Sequence, residues 1–196
     1  MASIFDVAKC ILDIKGTVSS YELQKLCYYC QAWSLALGEG QMFPEVFEAW
    51  PHGPVCRTLF AAHRGEFHVK KSDIAKGNID NIPPKMMDVI LSVLDVYSGL
   101  NGDDLEKLTH TEDPWIIARH GLPETARCSE TISENIMQDF YRKSDKYDAV
   151  DNALLLHRAK RRAETNARTF SFEEVFNMSG LTEDDLLNAE DVEIES

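Results

Sequence analysis

The stretch from Tyr21 to Leu37 constrains this fold more than any other part of the chain. Its apolar residues Leu23, Leu26, Cys27, Cys30, Trp33, Ala36 and Leu37 recur at helical spacing and cover a stripe broader than one face. Ser19 or Ser20 can cap the start of this helix and Gly38 can stop it. A helix apolar over so much of its circumference is expected to be buried on more than one side. With 196 residues, 44% of them apolar, the chain is long enough to bury one substantial core, and one domain plus an appendage is the natural expectation.

Helical periodicity recurs on both sides of this segment. Ser3 can cap a first helix in which Ile4, Val7, Ala8, Ile11 and Leu12 share a face and which Gly16 closes. Phe43, Val46, Phe47 and Trp50, flanked by Gly40 and Pro51, read as a strand. Gly53-Pro54 marks a sharp turn, with Pro54 placed to begin a helix through Arg64, and Glu66 to Val69 is the expected partner strand of a small hairpin. Lys70 to Asn81 is polar and reads as a surface loop. Pro83-Pro84 opens a helix with Met86, Met87, Val89, Ile90, Val93, Leu94 and Tyr97 facing inward, ending near Gly99. Short helices are expected over Asp103 to Leu108 and Pro114 to Arg119, and Ser133 can cap another through Tyr141.

Composition changes after about Lys143. Ser144 to Asp148 reads as a linker, and Val150 to Ala163 as a helix whose late cations Arg158, Lys160, Arg161 and Arg162 oppose the negative end of its dipole. Ser171 and Glu174 have capping-box spacing, and Leu181 to Ala189 offers a last amphipathic turn. The fold class is therefore mainly α, with a small β-hairpin and a helical C-terminal extension. Residues 1–143 form the expected domain, and 144–196 the linker, basic helix and acidic tail.

Charge and cysteine usage narrow the function. The formal net charge is -13, yet nine acids and no Lys or Arg lie between Glu173 and Ser196, which leaves -4 for residues 1–172. Phosphate recognition needs a Lys/Arg footprint, so DNA is not an expected partner. The basic cluster of Arg158, Lys160, Arg161, Arg162 and Arg168 is explained more simply by neutralisation of the acidic tail, since no base-reading motif accompanies it. Five dispersed cysteines and no apolar leader or span after Met1 point to a cytoplasmic, reduced protein with no membrane partner.

Three blocks together resemble the Panacea domain of SocA-like antitoxins, found in bacteria and phages. The first is Leu23-Gln24-Lys25-Leu26-Cys27-Tyr28-Tyr29-Cys30-Gln31-Ala32-Trp33. The second is Phe47-Glu48-Ala49-Trp50-Pro51-His52-Gly53-Pro54-Val55, followed by Leu59-Phe60 and Ala62-His63-Arg64-Gly65. The third is Leu108-Thr109-His110-Thr111-Glu112-Asp113-Pro114-Trp115. The resemblance covers roughly residues 3 to 142 and implies a compact helical antitoxin, encoded beside a toxin and acting by protein contact, with no cofactor. Cys27 and Cys30 depart from the apolar or small residues usual in the first block.

The residues themselves allow competing roles. Tyr28, Tyr29 and Gln31 on the second helix, and Trp50 and His52 at the turn, are candidates for partner contact, because aromatics with a polar handle suit interfaces. The alternative is that the tyrosines anchor the core, as Trp33 is expected to, while Gln24 and Gln31 satisfy buried backbone. Gln24, Lys25, Gly53, Pro54, His110, Pro114 and Trp115 read as parts of the fold. Phe172, Phe176, Leu186 and Leu187 in the acidic tail are further candidates, able to fill a basic groove on a toxin. Asp113 before Pro114 reads as a helix cap.

The expected partner is a cognate toxin. The second reading is an adaptor that delivers a bound protein to a protease or chaperone. The third, an enzyme using His110 and Glu112, lacks a nucleophile. Cys27-x-x-Cys30 lies inside a helical pattern without a second ligand pair, so buried cysteines rather than a metal are expected.

Overall fold

A computed structural model describes residues 2–169 of the chain, with side chains through Thr165. The chain divides into two units, the first ending at His157 and the second beginning at Arg158.

Eight α-helices occur among the described residues, and the first unit is organised around the second of them. Helix α1 (Ile4–Lys15) opens on a capping box in which Ser3 and Asp6 satisfy each other's backbone N–H groups. Two residues later β1 (Val18–Ser19) leads directly into α2 (Ser20–Ala36), whose N-cap Ser19 accepts from the Glu22 N–H at 3.1 Å. Every residue of α2 from Leu23 to Ala36 is buried. The broad apolar stripe is thus closed on all sides, with α1 and three later helices packed around it: α4 (Pro84–Tyr97), α5 (Gly102–His110) and α7 (Glu134–Tyr141).

The strands correct the expected pairing. The hairpin consists of β2 (Glu48–Trp50) and β3 (Gly53–Val55), in the register Glu48↔Val55, Ala49↔Pro54 and Trp50↔Gly53, joined through Pro51 and His52. Pro54 lies in a strand instead of opening a helix. It can do so because a two-stranded hairpin needs pairing on only one side of β3, where a missing N–H is tolerated. Helix α3 (Arg57–Ala62) starts later. The stretch 66–69 contributes β4 (His68–Val69), which pairs antiparallel with β1 and not with the 48–50 strand. On its other side β2 is met by the 130–132 segment, through Ala49 N to Glu130 O and Ile132 N to Phe47 O.

The polar stretch 70–81 carries two single 3-10 turns, Lys71–Asp73 and Ile79–Asn81. It is tied to α1 because the Asp6 carboxylate accepts from the Asn78 N–H and from Asn81. Gly77 is required there: its φ is +94°, and a Cβ would lie 2.6 Å from the Phe5 carbonyl carbon.

Helix α6 (Asp113–Ala118) has Glu112 at its N-cap position, one residue earlier than expected and without a side-chain capping hydrogen bond, and Asp113 occupies its first turn. Helix α8 (Tyr147–Thr169) begins within the expected linker. In the first unit it buries Val150, Ala153 and Leu154, and His157 contacts Asp95 at 2.8 Å. The described part of the second unit continues this helix, with Lys160 and Arg162 exposed. Among the described residues no helix is long and apolar enough to cross a membrane.

Candidate functional site

The first sequence block builds the interior. Tyr28 and Tyr29 are 0% exposed, and Gln31 is buried beside them, so these three candidates present no surface to a partner. The cause is the position of α2 at the centre of the fold, where it packs against surrounding helices and the hairpin strand β3. Gln31 serves the chain's own backbone: its carbonyl accepts from Met42 N (3.0 Å) and Phe43 N (3.3 Å), and its amide donates to Phe43 O (3.2 Å) and Glu134 (2.9 Å). Trp33 is fully buried and donates to Tyr97 Oη at 3.0 Å. Cys27 and Cys30 are buried in the same helix, and burial raises both thiols well above their usual range.

At the heart of this core sits Glu112. Its carboxyl accepts from Tyr141 Oη at 2.6 Å and from Tyr29 Oη at 3.2 Å, while Tyr29 stacks on Tyr97 with centroids 4.2 Å apart. Burial pushes the Glu112 pKa up to about 7, against the lowering effect of those hydroxyls. His110 goes elsewhere. It stacks on Trp115 at 4.0 Å and faces Glu124 at 3.7 Å, and burial holds it below the usual imidazole range. The two residues of the enzymatic reading therefore belong to different environments.

The second and third blocks meet at the hairpin. Trp115 Nε1 donates to the Trp50 carbonyl at 3.0 Å, and Arg119 donates to the Ala49 carbonyl at 2.8 Å. Arg119 is buried, lies 4.6 Å from the Trp115 ring centroid, and also reaches the carbonyls of Pro123, Glu124 and Ala126. Pro114 is buried in the first turn of α6. Gly53 adopts φ +86°, and a Cβ there would come within 2.7 Å of Lys25 Cε and Thr109 Oγ1. Only glycine lets the hairpin approach α2 and α5 this closely.

An open pocket of about 350 Å³ lies between the start of α2 and this hairpin. Tyr21, Trp50, His52, Phe60 and Phe67 contribute aromatic walls, with Gln24, Lys25 and His63 buried at its base. Lys25 donates to the His52 carbonyl, and burial lowers its pKa to about 8 although Glu106 opposes this. The His52 side chain is 64% exposed, contacts Glu106 at 3.0 Å and packs edge-on against Tyr21. Trp50 is half-buried, bonded to Glu48 and covered by Arg57. Of the candidates for partner contact, Trp50 and His52 share this pocket. Phe172, Phe176, Leu186 and Leu187 lie outside the described residues.

Sequence reasoning missed Arg119, which carried no motif signal, and gave His63 no role beyond its place in the second block. Phe67 was read as part of a strand, though it is exposed at the pocket wall.

Fold and site together define a mainly helical domain built around one buried helix, with a hairpin corner braced from inside. Residues 23–116 match the family model described as "Antitoxin SocA-like, Panacea domain". No curated protein and no solved structure matches the chain.

Proposed function

We propose that this protein is the antitoxin of a toxin–antitoxin pair and neutralises a cognate toxin by direct protein contact. The observation that carries the reading is the family match over residues 23–116. That segment supplies α2 and the hairpin corner. Its exposed aromatic and cationic side chains, His52, Arg57 and Phe67 around the half-buried Trp50, are of the types that dominate protein interfaces. The separation of His110 from Glu112 favours binding over catalysis at the third block.

The test is co-purification. The product of a neighbouring toxic gene, co-expressed with this protein, should elute with it as one complex. If no neighbouring gene is toxic and no partner co-purifies, the reading is wrong.

A further inference from the structure

Helix α6 has two faces of different character. Pro114, Trp115 and Ala118 are buried, and Trp115 braces the hairpin through the Trp50 carbonyl. Asp113, Ile116 and Ile117, at i, i+3 and i+4, share the opposite face and are exposed, the two isoleucines at 44% and 46%. Helix α7 repeats the division. Met137 and Tyr141 enter the core, whereas Ile136, Asp139 and Phe140, again at i, i+3 and i+4, are half-buried or exposed.

An open groove of about 500 Å³ lies where α6 and α7 pack together. Its walls include Asp113 from α6, Ile136, Asp139 and Phe140 from α7, and Lys143 and Asp145 from the turn that follows. Ile136 and Phe140 supply apolar surface, and Ile116 and Ile117 continue it along α6. Four large apolar side chains on two packed helices differ from single exposed hydrophobics such as Ile14 and Val46, which need no explanation.

The charges indicate what covers this surface. Asp113, Asp139 and Asp145 are exposed, and none forms an ion pair among the described residues. Asp13, Glu22 and Glu48, elsewhere on the first unit, are paired with Lys71, Lys15 and Arg57. Against the three carboxylates the groove has one ammonium, Lys143, so negative charge is in excess. An apolar groove with unpaired carboxylates along it fits a segment that is apolar on one side and cationic on the other. A second copy of this chain fits poorly, because a two-fold contact brings the same acids of both protomers together.

We propose that the α6–α7 groove docks the toxin through a basic amphipathic segment. Its apolar side chains lie on Ile116, Ile117, Ile136 and Phe140, and its Lys or Arg side chains pair with Asp113, Asp139 and Asp145. The proposal rests on the antitoxin reading for the identity of the partner and adds the place and chemistry of its grip. The acids steer association, and the apolar contacts set the residence time.

The test follows association and dissociation of the purified product of the neighbouring toxic gene on the full-length protein. Joint replacement Asp139→Lys and Asp145→Lys should slow association at least about tenfold near 0.05 M salt, a deficit that shrinks near about 0.5 M. Joint replacement Asp80→Lys and Asp103→Lys, exposed and outside the groove, changes net charge equally and should slow association less than about twofold. Ile117→Ser should leave association unchanged and speed dissociation at least about tenfold. At these exposed positions the melting temperature should stay close to that of wild type. A complex that forms with wild type and is indifferent to the groove variants overturns the proposal and leaves the antitoxin reading standing. Equal losses in the two charge-reversed pairs assign the effect to net charge and also overturn it. No complex with wild type overturns both. Self-association of the wild type that Ile117→Ser abolishes assigns the groove to a second copy and overturns the proposal.

Discussion

Tyr141 on α7 donates a 2.6 Å hydrogen bond to Glu112, the residue at the N-cap position of α6, and Tyr29 on α2 donates to the same carboxyl. One buried acid thus joins three helices. Because burial raises its pKa from 4.5 to about 7, the folded state holds this proton more tightly than the unfolded state does. Its stabilising contribution is complete below about pH 4.5 and is lost as pH rises to 7, an effect on the order of 3 kcal/mol. Urea melts of wild type and Glu112→Gln across that range isolate the group. The wild type should lose stability relative to the variant as pH rises, with no further change above neutrality. A constant difference between the two contradicts this account.

Two glycines with similar backbone angles separate strain from packing. Gly53 (φ +86°) faces Lys25 and Thr109, whereas a Cβ at Gly65 (φ +95°) meets nothing within 4 Å. Gly65→Ala should cost about 1–2 kcal/mol, the conformational penalty alone. Gly53→Ala should cost that plus an overpacking penalty of about 1–3 kcal/mol. Thermal melts of the two variants compare them directly, and equal losses argue against the close approach of hairpin and helix.

Arg119 supports the same hairpin through carbonyls. Replacing it by Met leaves the buried Ala49 carbonyl without its donor and releases the carbonyls of Pro123 and Glu124, which are exposed residues, and of the half-buried Ala126. A loss of about 1–3 kcal/mol follows from leaving the buried carbonyl unpaired. Hydrogen exchange should accelerate in the 119–126 loop. A variant as stable as wild type, with unchanged exchange, contradicts the role.

Surface and core residues of the family blocks should behave in opposite ways. His52→Ala and Phe67→Ala remove exposed groups and should change stability by less than about 0.5 kcal/mol while weakening toxin neutralisation. Tyr29→Phe removes a hydroxyl bonded to Glu112 and should lower stability by about 1 kcal/mol. Growth rescue and melting temperature, measured on the same set of variants, distinguish the two groups. Loss of rescue only in proportion to lost stability contradicts the assignment of His52 and Phe67 to the contact surface.

The central helix was legible because its apolar stripe was too broad for a surface helix, and Gly, Pro and Ser signals placed most helix ends within a few residues. The hairpin was half legible. Trp50 and Gly53 flank the turn as the sequence indicates, but Pro54 signals a helix start locally, and only the tertiary setting of β3 makes it a strand residue. The same limit applies to Tyr28 and Tyr29. An aromatic hydroxyl suits an interface or a core equally, and the decision rests on Glu112 and Tyr141, distant in sequence, which the fold brings beside them. Arg119 was invisible because its partners are carbonyls, which leave no mark in the side-chain pattern.

Direct neutralisation is tested most directly by viable counts after induction of the neighbouring toxic gene, with and without this protein, in a host lacking its major cytoplasmic proteases. Counts restored to those of uninduced cells are the predicted result. Counts that fall equally with and without the protein in that host, while rescue persists in cells with their proteases intact, contradict it and identify delivery to a protease as the mode of action.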